Sequence, residues 1–177
     1  MKCYRFFLFY LLITNVFFSC KQSSTAVELK NFANTVVKIE KDSLIAVNIS
    51  STRCDSLLSA EYKLVVYMDS LLMCSSCWTK YISYLEYVIY SNDLKIRPIY
   101  IFDARADVDV NFELNMSGIN LGYFIDYKDY LKRGNKNFPK SESLKTFLTK
   151  NDTVLVAGNP FENSKMTDLY LSILRNK

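Results

Sequence analysis

Between residues 63 and 103 the hydrophobic period changes twice, which constrains the fold more than any other feature of the sequence. "KLVVYMD" at 63–69 is a short run of β-formers suited to a buried strand. From 75 to 90 the apolar residues Trp78, Tyr81, Ile82, Leu85, Val88 and Ile89 recur at helical spacing, with Thr79, Lys80, Ser83 and Glu86 on the other side. "IRPIYIFD" at 96–103 returns to strand character. A strand, a helix of about four turns and a second strand make a right-handed crossover with parallel strands.

Downstream, the pattern predicts a second helix over 106–118 stopped by Gly118, a short strand over 122–126, and mostly loop from 127 to the next strand. Runs at 144–149 and 153–158 flank "KND" and read as a hairpin. A last helix follows, capped by Asn163 or Ser164, with Met166, Leu169, Tyr170, Ile173 and Leu174 on one face. Upstream, 43–50 alternates enough for a strand, and 31–39 suits a short amphipathic helix. The expected class is α/β: a βαβ unit followed by ββα, forming a central mixed sheet with helices on both faces, a three-layer α/β/α sandwich. Half of the 177 residues are apolar, with only 4 Gly and 3 Pro, so the chain can bury a core.

The first residues read as an address. Lys2 and Arg5 precede an apolar run over 6–18, which is shorter than the roughly 20 residues needed to span a bilayer. Small Ser19 then precedes Cys20. This pattern resembles the lipobox of bacterial lipoproteins, with Phe17 where that family prefers Leu. The resemblance implies cleavage before Cys20, lipidation of Cys20 and anchorage in a membrane of the cell envelope, facing the periplasm. The expected division is a signal over 1–19, a tether and linker over 20–42, and the folded domain over 43–177.

Composition removes several chemistries. The chain has no histidine, which excludes Ser-His-Asp and Cys-His catalysis and His-rich metal sites. The net charge is +4, two of the cations lie in the leader, and the basic residues are scattered, so no nucleic-acid footprint is expected. "LKRGNK" reads as a solvated loop. No Walker loop, dinucleotide fingerprint or paired-carboxylate arrangement appears, and no cofactor is expected. Most of the 13 tyrosines are expected to pack on element faces with their hydroxyls wet. Nothing in the sequence addresses the oligomeric state.

The chemistry rests on "MCSSCW". Cys74 and Cys77 enclose two residues where the first predicted helix begins. They could form a redox pair, half of a metal site or a structural staple. A zinc site wants four ligands, and outside the leader and Cys20 only Cys54 remains to join the pair, so no metal is expected. A crosslink closing so short a loop stabilises a fold weakly. Backbone dipoles at a helix start favour a thiolate by up to about 2 kcal/mol, lowering a thiol pKa by up to about 1.5 units. The thiolate is the species that attacks disulfides. Cys54, without a neighbour in sequence, is either a buried thiol or a third exchange partner.

This order of elements with CxxC at the first helix start resembles the thioredoxin fold. "YMDSLLMCSSCWTK" and the later "TFLTKNDTVLVAGNP" are similar to thioredoxin-like lipoproteins of Gram-negative anaerobes, over about two thirds of the chain. The resemblance implies Cys74 as the attacking cysteine, Cys77 as the resolving one, and protein thiols and disulfides as partners. It also shows departures. Met73 stands where thioredoxins usually carry Trp, and Ser75-Ser76 where Gly-Pro is common. Lys145 stands at the cis-proline position, and Met68 at the buried acid, with Asp69 one step off and turned to the other face. Two functions follow as expectations: a membrane-anchored thiol-disulfide oxidoreductase, or a non-catalytic thioredoxin-like lipoprotein acting as a binding or structural subunit.

Overall fold

The computed structural model describes residues 23–69, 75–103 and 107–176. Cys20 and Cys74 lie outside them, as does the leader. Twelve main elements follow in order. They are α1 (Ser24–Phe32), β1 (Leu44–Val47), α2 (Ser51–Leu58), β2 (Tyr62–Met68), α3 (Ser75–Ser91) and β3 (Pro98–Asp103). Then come α4 (Asp107–Met116), β4 (Tyr123–Asp126), α5 (Tyr130–Gly134), β5 (Thr146–Lys150), β6 (Thr153–Ala157) and α6 (Ser164–Arg175).

The strands form one sheet in the order β1-β4-β3-β2-β5-β6. β2, β3 and β4 are parallel, whereas β1, β5 and β6 run antiparallel to their neighbours. The βαβ crossover and the hairpin read from periodicity are both present. Strand alternation divides the core in two. Leu64, Val66 and Met68 face α3, α4 and α6 together with Trp78, Ile82, Leu114 and Tyr170. Val65 and Tyr67 face α1, α2 and α5 together with Phe32, Cys54 and Leu131. Three layers result, helices on both sides of a mixed sheet.

Several expectations shift. The upstream helix is Ser24–Phe32, not 31–39, because Ser23 caps it by accepting the Ala26 amide at 3.2 Å. It lies in the stretch read as tether, yet its Phe32 is fully buried, edge-on to Phe147 with ring centroids 5.1 Å apart. α2 was not foreseen. Ser50 caps it, and Cys54, Leu57 and Leu58 supply its apolar side. The loop after β4 contains the short helix α5. In α6, Asn163 is the cap, accepting the Met166 amide at 3.0 Å, while Leu169 is exposed and not part of the buried face. The tyrosines divide: Tyr67, Tyr100, Tyr123 and Tyr170 are buried, but Tyr84, Tyr87, Tyr90, Tyr127 and Tyr130 are exposed.

No helix among the described residues is long and apolar enough to cross a membrane.

Candidate functional site

The site lies at the sheet edge where β2, β3 and β4 end. β2 stops at Met68, and α3 begins at Ser75. Cys77 is the third residue of α3, exposed and disulfide-bonded. Cys74 immediately precedes the first residue of α3 in sequence and lies outside the described residues. Trp78, the next residue after Cys77, turns inward and packs edge-on to Phe102, with ring centroids 5.3 Å apart, as its helical phase predicts. Cys54 is a free thiol buried on the far side of the sheet among Val65, Ile99 and Phe147. It packs there and has no path to the first turn of α3.

One turn beyond Cys77, Tyr81 reaches across to the strand beside β2, its hydroxyl 2.7 Å from Thr146 Oγ1. Burial pushes the Tyr81 phenol up, so it stays neutral and available for this bond. Beside this pair opens a cleft of about 340 Å³ lined by Met68, Tyr81, Glu142, Ser143, Thr146 and Asn159. Its lining mixes apolar side chains (Val66, Met68) with polar ones (Glu142, Ser143, Thr146, Asn159) and reaches α3 at Tyr81.

Lys145 lies just before β5, where the resemblance placed a cis-proline. No cis peptide bond occurs among the described residues. Lys145 keeps a helical backbone (φ −79°, ψ −4°), and its carbonyl accepts the Tyr67 amide at 3.0 Å, extending the β2–β5 ladder. Its side chain is buried, with the ammonium 3.2 Å from Asp69 Oδ2 and paired with Glu142. Lys132 of α5 approaches the same Asp69 oxygen at 2.8 Å and stands 3.9 Å from Asp103. Burial alone would raise the Asp69 pKa, but the hydrogen bonds from the two lysines outweigh it and hold the carboxyl well below the usual range. Asp69 is thus an ionised anchor for two ammonium groups and, as alternation predicted, sits on the Tyr67 face and not the Met68 face.

Asp103 and Asp126 end β3 and β4 and are register partners, and Asp69 directly follows the adjacent β2. This charge cluster was not legible from sequence, because its members lie far apart along the chain. Asp126 is fully buried; its Oδ2 accepts the Leu131 amide at 3.1 Å and the Tyr67 hydroxyl at 3.3 Å. Its Oδ1 has no hydrogen-bond partner among the described residues. Burial pushes the Asp126 pKa up, against the pull of those donors. A raised folded pKa favours folding fully below the unfolded value of about 3.9 and loses that contribution as pH rises through the folded value. Asp126→Asn should therefore stabilise the protein by about 1 kcal/mol near pH 8 and change little near pH 3. Chemical denaturation at both pH values reads this, and an equal effect at the two would overturn it.

Among the described residues no group of three or more Cys, Asp or Glu side chains is disposed to hold a metal ion.

The fold as a whole superposes on solved structures. The thioredoxin domain of a thiol-disulfide oxidoreductase from Bacteroides vulgatus superposes with a TM-score of 0.54 at 14% identity, over 80% of this chain and 97% of that one. The fold is thioredoxin-like. An uncharacterized thioredoxin-like protein from Porphyromonas gingivalis superposes with a TM-score of 0.52 at 15% identity, over 81% of this chain and 93% of that one. No protein-family model matches the chain, and no curated protein matches it in sequence.

Within this thioredoxin-like domain, the cleft and the first turn of α3 share one edge. Buried Lys145 and half-buried Lys132, both on Asp69, lie at the same edge.

Proposed function

We propose that the chain is a membrane-anchored thiol-disulfide oxidoreductase of the cell envelope, acting on the disulfides of envelope proteins. One observation carries the reading: Cys77 is exposed and disulfide-bonded in the first turn of α3, beside the Met68–Tyr81–Thr146 cleft, in a thioredoxin-like fold. The reading takes Cys74 as its partner. In the reducing direction, the Cys74 thiolate attacks one sulfur of a substrate disulfide, and the other substrate sulfur leaves as a thiolate. Cys77, deprotonated, then attacks Cys74 in the mixed disulfide. The second substrate sulfur departs, and the Cys74–Cys77 disulfide forms. Two electrons pass from the enzyme dithiol to the substrate, and a donor dithiol must restore the pair. The helix start supports the first step by favouring the anion. Residues 1–19 act as the signal, and lipid on Cys20 holds the domain at the periplasmic side of a membrane.

The test is exchange by the reduced protein with a small disulfide, followed with rapid thiol alkylation across pH. The expected result is reduction of the disulfide and one thiol that alkylates well below the ordinary cysteine range near 8.5. Absence of exchange with every disulfide tried would leave the second reading, a non-catalytic thioredoxin-like lipoprotein. The feature that favours that second reading is Lys145, whose trans peptide and buried side chain replace a proline that shapes the family's substrate groove.

A further inference from the structure

We propose that this domain docks its Cys77 edge against the membrane through a basic-aromatic surface formed by Tyr127, Lys128, Tyr130, Arg133 and Lys140, with anionic lipid headgroups as the partner. The inference rests on the lipid-anchor reading and adds an orientation to it.

The first support is the direction of α1. Glu28, one turn into this helix, accepts the amides of Lys140 and Ser141 at 3.1 and 2.9 Å. These residues directly precede the turn to β5 at the Cys77 edge. At its other end, the Asn34 amide reaches Val154 and the Val37 amide reaches Asp152, at the opposite edge of the sheet. α1 therefore begins beside the Cys77 edge and runs away from it. Ser23 caps it, and only Lys21 and Gln22 separate that cap from Cys20. Three residue steps reach at most about 11 Å. A lipid on Cys20 thus keeps Ser23, at the end of α1 that faces the Cys77 edge, within about that distance of the headgroups.

The second support is charge. Residues 127–140 carry five cations and one carboxylate, a balance of +4 that equals the net charge of the entire chain. The carboxylate, Asp129, lies 3.6 Å from Lys132, and Lys132 is committed to Asp69. Lys128, Arg133, Lys136 and Lys140 are exposed and in no ion pair among the described residues.

The third support is the aromatic pattern. Tyr127 and Tyr130 are about half exposed at the end of β4, with Lys128 over the Tyr127 ring at 5.7 Å and Arg133 over the Tyr130 ring at 5.8 Å. Lys128 and Asp129 both hold left-handed backbone (φ 73° and 55°), a conformation non-glycine residues seldom adopt, and this turn projects the two rings. Exposed tyrosine beside free cations suits the headgroup region of an anionic bilayer. The segment read from sequence as a solvated loop is, in this proposal, the membrane contact, and the substrates nearest the Cys77 edge are proteins at the membrane surface.

The experiment uses the full-length protein, processed in a bacterial host and purified with its lipid. It is reconstituted into phosphatidylcholine vesicles with or without phosphatidylglycerol, containing lipids brominated near the headgroup. Tyr130→Trp reports the proposed face. Tyr90→Trp, at the far end of α3 and 87% exposed, reports the opposite edge. Expected is about twofold or greater quenching of Tyr130→Trp in anionic vesicles and none of Tyr90→Trp beyond that of the parent's Trp78, with headgroup attraction falling about fivefold for each of the four units of positive charge lost in Lys128→Glu/Arg133→Glu. Equal quenching at both positions, or quenching at Tyr130→Trp indifferent to lipid charge and to the double variant, overturns the proposal. Protein that fails to float with either vesicle overturns the anchor and the orientation together. Disulfide exchange, assayed in the same preparation, bears on the proposed reaction and not on the docking face.

Discussion

Lys145→Met is expected to destabilise the fold by about 2–4 kcal/mol. Methionine keeps the length and packing of the stem and removes only the ammonium. Among the described residues Asp69 then keeps the Lys132 ammonium, and Glu142, half-buried beside the cleft, loses the cation it pairs with. Breaking a buried pair from one side costs about 3–5 kcal/mol when the orphan has no other partner, and Lys132 softens that here. For a domain of this size the midpoint should fall by about 5–12 °C.

The pH dependence separates charge from packing. Asp69 has a lowered folded pKa, so its contribution is present above the unfolded value near 3.9 and is lost as pH falls through the folded value. The deficit of Lys145→Met should therefore be constant through neutral pH and shrink in acid. Thermal melts at several pH values check it. A variant as stable as the parent at neutral pH would show that the ladder bond from the Tyr67 amide to the Lys145 carbonyl holds the turn unaided.

Lys145 also shows where sequence reasoning reached its limit. The layers were legible because periodicity is local: strand 63–69 and the apolar face from Trp78 to Ile89 each declare their partner surface within a few residues. The parity of Asp69 was legible for the same reason, since strand alternation separates it from Met68. Its partners were not. Lys132 and Lys145 lie 63 and 76 positions away, and only the sheet order brings them together. α2 was missed because "STRCDSLL" is mostly polar and spans two turns, too short for a period to emerge. α1 was misplaced because it ends at Phe32, where Ala33 turns extended (φ −58°, ψ 138°), while apolar residues such as Val37 and Ile39 continue beyond that end and pack on the same core. Of the sites, the first turn of α3 was foreseen from the change of period at residue 75. The cleft was not, because Tyr81 and Thr146 meet only through the pairing of β2 with β5.

In the proposed exchange reaction, Cys77→Ser is expected to lower steady-state disulfide reduction by about a thousandfold or more while leaving the first attack intact. The argument is one of proximity. A resolving thiol held one turn from the mixed disulfide acts at an effective concentration far above the millimolar range of a free thiol, and serine supplies no replacement sulfur. The substrate should stay attached, visible as a higher-mass species without reductant and released by added dithiol. Cys54 does not rescue the step: it is 3% exposed and packed on the far side of the sheet, so native-state alkylation of this variant should mark Cys74 and spare Cys54. Cys74→Ser should form no such adduct, because the remaining Cys77 lies past the helix start, where fewer free amides face it. Wild-type turnover in Cys77→Ser would remove it from the reaction. Adducts formed by Cys74→Ser would exchange the two roles, making the exposed third residue of α3 the nucleophile. The helix start is then no longer what selects the attacking sulfur, and exposure takes its place.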